Sequence, residues 1–184
     1  LLDLDGTLID HPSMERRFIA QLTKDGRLGL PQLGAALWFA ASRAPRHGRH
    51  VWKKNKAYLT GLPVDAVEAW AAEFVHDHIE RHIRPALRAR LEQHRHAGDA
   101  LALLTGTPDF LARPIAVLLG MEHCCATVCA SRKGRFTLAP PPIHPFAEAK
   151  LELARALCGR LGFSLHQCTA YADSAHDLPL LREV

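Results

Sequence analysis

The nine residues that open the chain, Leu1–Ile9, constrain its fold more than any other stretch. They read Leu-Leu-Asp-Leu-Asp-Gly-Thr-Leu-Ile, so a short apolar run leads directly into two carboxylates, a glycine and a threonine. In an α/β chain this pattern is typical of the end of a buried parallel strand, where ligands bind. Asp3 and Asp5 lie two apart on extended backbone, so their side chains emerge on the same face. Carboxylates this close repel each other unless a cation lies between them or one holds a proton.

The same stretch also admits a plainer interpretation, which is a strand followed by a polar turn. Asp-Gly is a common turn pair, and Gly6 permits the backbone to turn tightly. Thr7 can either cap the segment that follows or hold an anion with its hydroxyl group. The choice between a structural turn and a chemical site depends on the rest of the chain.

Three further segments carry the residue types that such a chemical site needs. A second apolar run near the C-terminus ends in Asp173, with Asp177 four residues later. If a helix begins after Asp173, both carboxylates can face one pocket, because four residues make about one helical turn. The apolar run Ala100–Thr105 ends in a hydroxyl, and Lys150 lies on a predicted helix. Acid pairs at two strand ends, a hydroxyl and a lysine together indicate a magnesium-assisted phosphoryl-transfer site.

The order of the predicted elements indicates the fold class. After the first strand, strands are predicted at Ala100–Leu104, His123–Ala130 and Gln167–Ala172, and helices at Pro108–Leu119 and Phe146–Leu161 lie between them. Strands that alternate with helices favour a parallel sheet flanked by helices and wound with right-handed crossovers. We therefore predict an α/β fold.

Residues 12–82 interrupt this alternation and are predicted to be entirely helical. Apolar residues recur there at helical spacing, and proline stands at or just before the start of two segments, where a first turn tolerates it. Pro45 and Gly48 are expected to end the second helix. The predicted helices are Met14–Leu22, Pro31–Ala44, Val51–Leu59 and Val64–His82.

The predicted helical segment has its own set of aromatic side chains. They are Trp38, Phe39, Trp52, Tyr58, Trp70 and Phe74. A small bundle core would account for them. The alternative is that some of them line an apolar pocket over the site formed by the carboxylates.

Taken in order, the motifs resemble those of the haloacid dehalogenase superfamily of aspartate-nucleophile phosphatases. Asp3–Thr7 matches the first family motif, Thr105 the second, Lys150 the third and Asp173–Asp177 the fourth. The segment Pro108–Ala116 also resembles the helix that follows the second motif in the phosphoserine-phosphatase-like members, subfamily IB. The likeness covers most of the chain outside the predicted helical segment.

This resemblance implies a division of the chain into two parts. Residues 1–11 and 83–184 would form the core, a Rossmann-like parallel sheet flanked by helices, and residues 12–82 would form an all-helical cap. The cap would close over the site, exclude water and select the substrate. The activity implied is Mg²⁺-dependent hydrolysis of a small phosphomonoester.

The resemblance also assigns roles to the residues of the first motif. Asp3 would attack the phosphorus and become a transient aspartyl-phosphate. Asp5 would protonate the leaving alkoxide and then take a proton from the water that cleaves the acyl-phosphate. Gly6 and Thr7 would lie beside the phosphate and help to bind it.

The other motifs would bind the phosphate and a Mg²⁺ ion. Thr105, the amide of Gly106 and Lys150 would neutralise the phosphate oxygens. Asp177 would hold a metal-bound water or orient Lys150, and Ser174 is a lesser candidate near the metal. The predicted metal ligands are Asp3, the backbone carbonyl of Asp5, Asp173 and Asp177.

Two features separate this chain from phosphoserine phosphatases proper. Those enzymes carry a substrate-binding glutamate seven residues after the second aspartate, where this chain has Pro12, and Glu15 lies three positions later. Their Asp-Ser-Thr version of the first motif is also absent. These departures argue against phosphoserine as the substrate, although Asp5 favours phosphomonoester chemistry over dehalogenation. The alternatives are a phosphomutase or phosphotransferase of the same superfamily, or a non-catalytic domain that binds anions.

Basic residues are concentrated in one stretch of the predicted cap. The formal net charge is +4, and no acid interrupts the basic run Arg43–Lys56. A solvated face is the plain interpretation, and the alternative is a patch that attracts an anionic substrate, a lipid headgroup or a nucleic acid. We predict a small phosphorylated metabolite or a phospholipid headgroup as the partner and expect no nucleic-acid binding. The sequence does not set the oligomeric state.

The cysteines and the chain ends bear on the compartment. Five unevenly spaced cysteines argue against a secreted disulfide framework and favour a reducing, cytoplasmic compartment. No apolar run is long enough to span a membrane. Only two residues precede Asp3, whereas a strand normally has about five, so we expect a gene product longer than this chain at both ends.

Overall fold

A parallel sheet forms the base on which the motifs meet. The structure is a computed structural model that describes residues 1–47 and 55–184, without the side chains of residues 44–47. Strand β1 (Ala102–Pro108) pairs in parallel with β2 (His123–Thr127). On the other side of β1, Leu2 forms parallel bridges to β1 and to Tyr171. The order across the sheet is therefore β2, β1, the Leu2 segment and the Tyr171 segment.

Three of the predicted strands are shorter than the sequence pattern indicates. Strand β2 ends at Thr127, before the predicted end at Ala130. The first strand of the chain is reduced to the bridges of Leu2. Of the predicted strand Gln167–Ala172 only Tyr171 is bridged, because its partner is the short segment Leu1–Asp3. A 3₁₀ turn at Leu165–Gln167 lies just before it. The predicted α/β class with parallel pairing is confirmed.

The regular elements described between residues 12 and 82 are all helical. Ser13 caps the first of them by accepting a hydrogen bond from the backbone N–H of Arg16, which satisfies one of the unpaired donors of the first turn. The helices are α1 (Met14–Lys24), α2 (Leu30–His47) and α3 (Val64–His78), with 3₁₀ turns at Ala57–Leu59 and Ile79–His82.

Two predictions for this segment need correction. Helix α2 is described from Leu30 to His47 and includes Pro45, so Pro45 does not end the helix. A proline removes only one hydrogen bond of the ladder. The predicted helix Val51–Leu59 begins outside the described residues, and its last three residues, Ala57–Leu59, form a single 3₁₀ turn.

The remaining helices lie around the sheet. They are α4 (Pro85–His96), α5 (Asp109–Leu118), α6 (Glu148–Leu161) and α7 (Leu178–Leu181). Helix α5 follows β1 directly and packs against both strands and against α3. Its inner face is fully buried at Leu111, Ala112 and Ile115, which recur at helical spacing.

One apolar core joins the helices of residues 14–78 to the sheet. The ring of Phe18 on α1 lies 5.4 Å from that of Phe74 on α3 and 5.9 Å from that of Phe110 on α5. Phe39 is also buried, in a small cluster with Ala57, whereas Trp38 is 65% exposed. The aromatic residues of this segment therefore serve the core only in part.

A short hairpin ties the start of α3 to the sheet side of the molecule. Strands β3 (Ser131–Arg132) and β4 (Arg135–Phe136) pair antiparallel, and the backbone N–H of Val64 donates to the carbonyl of Gly134 at 2.9 Å. All five cysteines lie among the described residues and are free thiols. In the described part of the chain, no helix has the length and apolar character needed to cross a membrane.

Candidate active site

Three carboxylates meet at the edge of the sheet where the Leu2 and Tyr171 segments end. Asp3 follows the bridge of Leu2, Asp173 follows that of Tyr171, and Asp177 ends a 3₁₀ turn. One oxygen of each carboxylate lies within 4.8 Å of an oxygen of the other two. The structure thus brings together acids from the two ends of the chain, because the parallel segments that carry them are neighbours in the sheet.

Lys150 lies between two of these carboxylates. It comes from the first turn of α6, and its Nζ atom is 2.8 Å from Oδ1 of Asp3 and 2.7 Å from Oδ1 of Asp177. The lysine is 3% exposed. A buried ammonium group needs such partners, because removal from water is costly for an unpaired charge. Asp177 therefore contacts Lys150 directly, which is one of the two roles predicted for it.

Gly6 and Thr7 form the turn that brings Asp173 close to Asp3. The φ angle of Gly6 is +85°, and a Cβ atom at this position would lie 2.1 Å from Oδ2 of Asp173, so only glycine fits. The amide of Gly6 donates to the carbonyl of Ile9 at 2.8 Å. The hydroxyl of Thr7 donates to Oδ1 of Asp173 at 3.3 Å. These contacts orient a carboxylate, whereas the sequence predicts a phosphate contact for both residues.

The carboxylate of Asp5 lies apart from this cluster and has its own donors. Its Oδ1 accepts the backbone N–H of Met14 at 2.8 Å, and its Oδ2 accepts the hydroxyl of Thr107 at 2.5 Å. Burial raises the pKa of Asp5, and the hydrogen bond from Thr107 opposes this shift. Sequence analysis did not single out Thr107 for this contact, although it lies only two residues after Thr105.

Thr105 and Gly106 line the same edge from β1. Thr105 is 1% exposed, and its hydroxyl oxygen accepts the backbone N–H of Thr107 at 3.2 Å. The carbonyl of Gly106 accepts the hydroxyl of Thr127 at 2.7 Å. Both residues therefore sit in the second half of β1 and line the cavity described below.

Burial perturbs the protonation of Asp3. It raises the pKa of Asp3 to about 6, even though the neighbouring Lys150 ammonium lowers it. In the metal-free protein, Asp3 is thus half protonated near that pH. A divalent cation would favour the ionised form, because it competes with the proton for the same oxygens.

This shift predicts that metal-free protein becomes more stable when Asp3 is replaced by Asn. The native pKa of about 6 exceeds the ordinary 3.8, so the native state keeps a proton that the unfolded chain releases, and stability is lost as the pH rises between these values. At pH 8 we expect the free energy of unfolding of Asp3→Asn to exceed that of the original protein by about 2–3 kcal/mol. This difference should fall towards zero near pH 4. Urea denaturation in EDTA measures this.

The control for that measurement is Asp77→Asn, which changes an exposed acid on α3 in the same way. It should follow the original protein at every pH. If the difference in free energy of unfolding between Asp3→Asn and the original protein stays constant between pH 4 and pH 8, the raised pKa of Asp3 is contradicted.

A second buried ion pair lies among the helices of residues 14–59. The carboxylate of Glu15, on α1, lies 2.5 Å from Nζ of Lys56 and accepts the hydroxyl of Tyr58 at 2.8 Å. Lys56 is 6% exposed and Tyr58 is 8% exposed. Sequence analysis named each of the three residues but not their contact, because partners more than 40 residues apart leave no local pattern.

This pair changes the interpretation of the basic run Arg43–Lys56. Its last member, Lys56, is buried against Glu15 and is not part of a solvated face. Its first member, Arg43, stacks over the ring of Phe39, with Cζ 4.8 Å from the ring centre. The backbone of residues 48–54 and the side chains of residues 44–54 lie outside the described part of the structure, so the prediction for the rest of the run stays open.

One cavity contains both groups of residues. Its volume is about 1020 Å³, and it extends from Asp3 and Asp5 at the sheet to Glu15 on α1 and Leu33 on α2. Thr105, Gly106, Lys150, Asp173, Ser174 and Asp177 also line it. Functional side chains that converge in one large cavity are the usual sign of a binding or catalytic site.

Comparison with known proteins assigns this arrangement to a family. The profile of the haloacid dehalogenase-like hydrolases matches residues 1–182. The chain belongs to this family. A relative, the phosphoserine phosphatase SerB1 of Mycobacterium tuberculosis, is 34% identical over 131 residues, which are 70% of this chain and 42% of the relative. This haloacid dehalogenase-like hydrolase chain thus matches less than half of the length of SerB1.

Solved structures agree with the family. A protein of unknown function from Bordetella pertussis superposes with a TM-score of 0.79 at 27% identity, covering 98% of this chain and 84% of the other. A phosphoserine phosphatase solved as a phospho-aspartyl intermediate analogue gives 0.62 at 18% identity, covering 100% and 81%, and shows the shared fold. The resemblance to the phosphoserine-phosphatase-like members of the family is therefore confirmed.

Proposed function

We propose that this chain carries the active site of a Mg²⁺-dependent phosphatase that hydrolyses a small phosphomonoester through an aspartyl-phosphate on Asp3. The observation that carries the proposal is the cluster of Asp3, Asp173 and Asp177 with Lys150 held between two of them. Three acids and one lysine leave excess negative charge at the edge of the cavity. Such a site suits a cation together with a phosphate.

The donor set fits Mg²⁺. The clustered side chains offer only carboxylate oxygens, which this hard cation prefers, and a few protein ligands suffice because it keeps some of its waters. Asp3, Asp173 and Asp177, with the backbone carbonyl of Asp5, would hold it. When bound, Mg²⁺ would neutralise the negative charge of the phosphate and of the reacting carboxylate.

Asp3 and Asp5 would perform the two chemical steps. An oxygen of Asp3 would form a bond to phosphorus as the bond from phosphorus to the alcohol oxygen breaks, and Asp5 would give its proton to that oxygen. The raised pKa of Asp5 supports this role, since burial favours its protonated form. Asp5 would then take a proton from the water that attacks the phosphorus of the aspartyl-phosphate, releasing inorganic phosphate and restoring Asp3.

The neighbouring residues would bind the phosphate and keep Asp5 in place. Lys150, Thr105 and the amide of Gly106 would contact phosphate oxygens, where the charge develops in the transition state. Thr107 donates to one oxygen of Asp5, which would hold its carboxyl group in one orientation. Residues 1–11 and 83–184 would serve as the catalytic core, and residues 12–82 as a cap that covers the cavity and selects the substrate.

The test is release of inorganic phosphate from a panel of phosphomonoesters by the purified protein. We expect turnover with Mg²⁺ and a loss of at least about 10²-fold in EDTA, because the acids of the site would otherwise repel the phosphate. Adding Mg²⁺ back should restore the rate. Turnover that is unchanged in EDTA, or no phosphate from any ester with Mg²⁺ present, would argue against the proposal.

A further inference from the structure

The cavity is larger than a short phosphorylated alcohol requires, and several of the residues that line it away from the sheet are apolar. The whole cavity, of about 1020 Å³, is at the upper end of the range for small-molecule sites, roughly 300–1,000 Å³. The phosphate would occupy only the end at the sheet. The apolar side chains at the other end are Ile19, Leu28, Leu30, Leu33 and Ala36.

The apolar wall continues out of the cavity along the surface of α2. Leu30, Leu33, Leu37 and Trp38 follow one another at helical spacing and form one stripe, which we call the α2 stripe. They are 84%, 58%, 54% and 65% exposed. Leu30 and Leu33 belong both to this stripe and to the cavity wall. A contiguous exposed apolar patch of this kind marks a binding surface, since scattered single residues would need no explanation.

Among the described residues that line this end of the cavity, the acid Glu15 is not free to bind the ammonium group of an amino-acid substrate, and Arg16 carries a positive charge. Glu15 is already paired with Lys56 and accepts the hydroxyl of Tyr58. An ammonium group of a substrate would have to displace the buried Lys56 from its partner, which is costly for both charges. The pair is neutral as a whole, so it favours a leaving group without a positive charge.

We propose that the substrate is the phosphomonoester of an alcohol bearing a long acyl or alkyl chain, drawn from a lipid surface. The inference rests on the phosphatase function proposed above. With the phosphate at Asp3, the chain would run along Leu33 and leave the cavity over the α2 stripe. A lipid chain can lie along both the cavity wall and the α2 stripe, because Leu30 and Leu33 belong to each. The net charge of +4 would attract an anionic lipid surface.

The first experiment compares glycerol 3-phosphate with acylglycerol phosphates of increasing chain length, each below its critical micelle concentration. We expect kcat/KM to rise with chain length by up to about fourfold per methylene, the factor that corresponds to about 0.8 kcal/mol per buried CH₂. With Leu33→Gln, the ratio of kcat/KM between the longest and the shortest ester should be at least about tenfold smaller than in the original protein. The matched control is Val117→Gln, which changes an apolar residue of α5 that is 77% exposed. This variant should show the same rise of kcat/KM with chain length as the original protein.

The second experiment measures sedimentation with vesicles of phosphatidylglycerol and phosphatidylcholine. We expect the protein to bind the phosphatidylglycerol vesicles and Leu37→Gln to weaken binding, while Val117→Gln has no effect. If kcat/KM rises with chain length but the protein does not bind vesicles, the proposal that the substrate is drawn from a lipid surface is overturned. A dimer in solution that Leu37→Gln dissociates would show that a second copy covers the α2 stripe, which also overturns it.

The outcomes separate the two proposals. Hydrolysis of glycerol 3-phosphate and of the acylated esters at equal kcat/KM would refute the lipid substrate and leave the phosphatase function standing. No Mg²⁺-dependent hydrolysis of any ester would refute the phosphatase function and the lipid substrate together. Thermal unfolding of each variant checks that the substitutions leave the fold intact.

Discussion

Replacing Asp3 with Asn is expected to lower the rate of phosphate release at least about 10³-fold, because an amide cannot form the bond to phosphorus. The substitution keeps the size of the side chain and removes one charge from the cluster with Asp173 and Asp177. Acid-quenched original protein should carry a hydroxylamine-labile phosphate, and the variant should not. Steady-state phosphate release and this trapped phosphate are the two measurements.

The expected loss of activity is informative because the variant should fold. The raised pKa of Asp3 predicts a metal-free Asp3→Asn protein that is at least as stable as the original above pH 6. Inactivity therefore cannot be attributed to unfolding. Asp77→Asn should keep full activity, and an Asp3→Asn protein that releases phosphate at an ordinary rate would remove Asp3 from the mechanism.

Replacing Lys150 with Met should have the largest effect on stability. The substitution leaves Asp3 and Asp177 buried without the ammonium group that lies 2.8 and 2.7 Å from them. Breaking a buried pair in this way costs about 3–5 kcal/mol, and we expect that loss at pH 8 in EDTA by urea denaturation. The loss should shrink as the pH falls from 8 towards 6, because Lys150 lowers the pKa of Asp3 and the native variant therefore takes up a proton at a higher pH than the original protein does.

Two further measurements complete the test of Lys150→Met, namely phosphate release and stability in the presence of Mg²⁺. Phosphate release should fall at least about 10²-fold, since a cation that stabilises phosphate charge is lost, and Mg²⁺ should restore part of the stability by replacing the missing charge. Lys24→Met, which changes an exposed lysine of α1, is the control and should match the original protein. Equal stability of Lys150→Met and the original protein in EDTA at pH 8 would show that the buried acids do not need the lysine.

The proximity of Asp3 and Asp173 could be predicted from the sequence, because each residue belongs to a short local pattern. Asp3 and Asp173 end apolar runs, and parallel strands bring such ends to one edge. The extent of the strands could not be predicted in the same way. Strand length depends on the partner, and Tyr171 meets only the short Leu1–Asp3 segment.

Contacts between distant segments account for what the sequence did not reveal. The hydrogen bond from Thr107 to Asp5 and the pair of Glu15 with Lys56 join positions with no shared local pattern. Lys56 illustrates this limit, because it ends a run rich in basic residues whose composition predicts a solvated face. Its burial depends on the carboxylate of Glu15, which lies on α1.

The hydrogen bond from Met14 to Asp5 has a consequence for how substrates are discriminated. Met14 is the first residue of α1, and Glu15 follows it on the same turn. A ligand that pushes on Glu15 would therefore also disturb Asp5, the group proposed to deliver the proton. Substrates of the wrong shape would be bound yet turned over slowly, so fidelity would be expressed in kcat more than in KM.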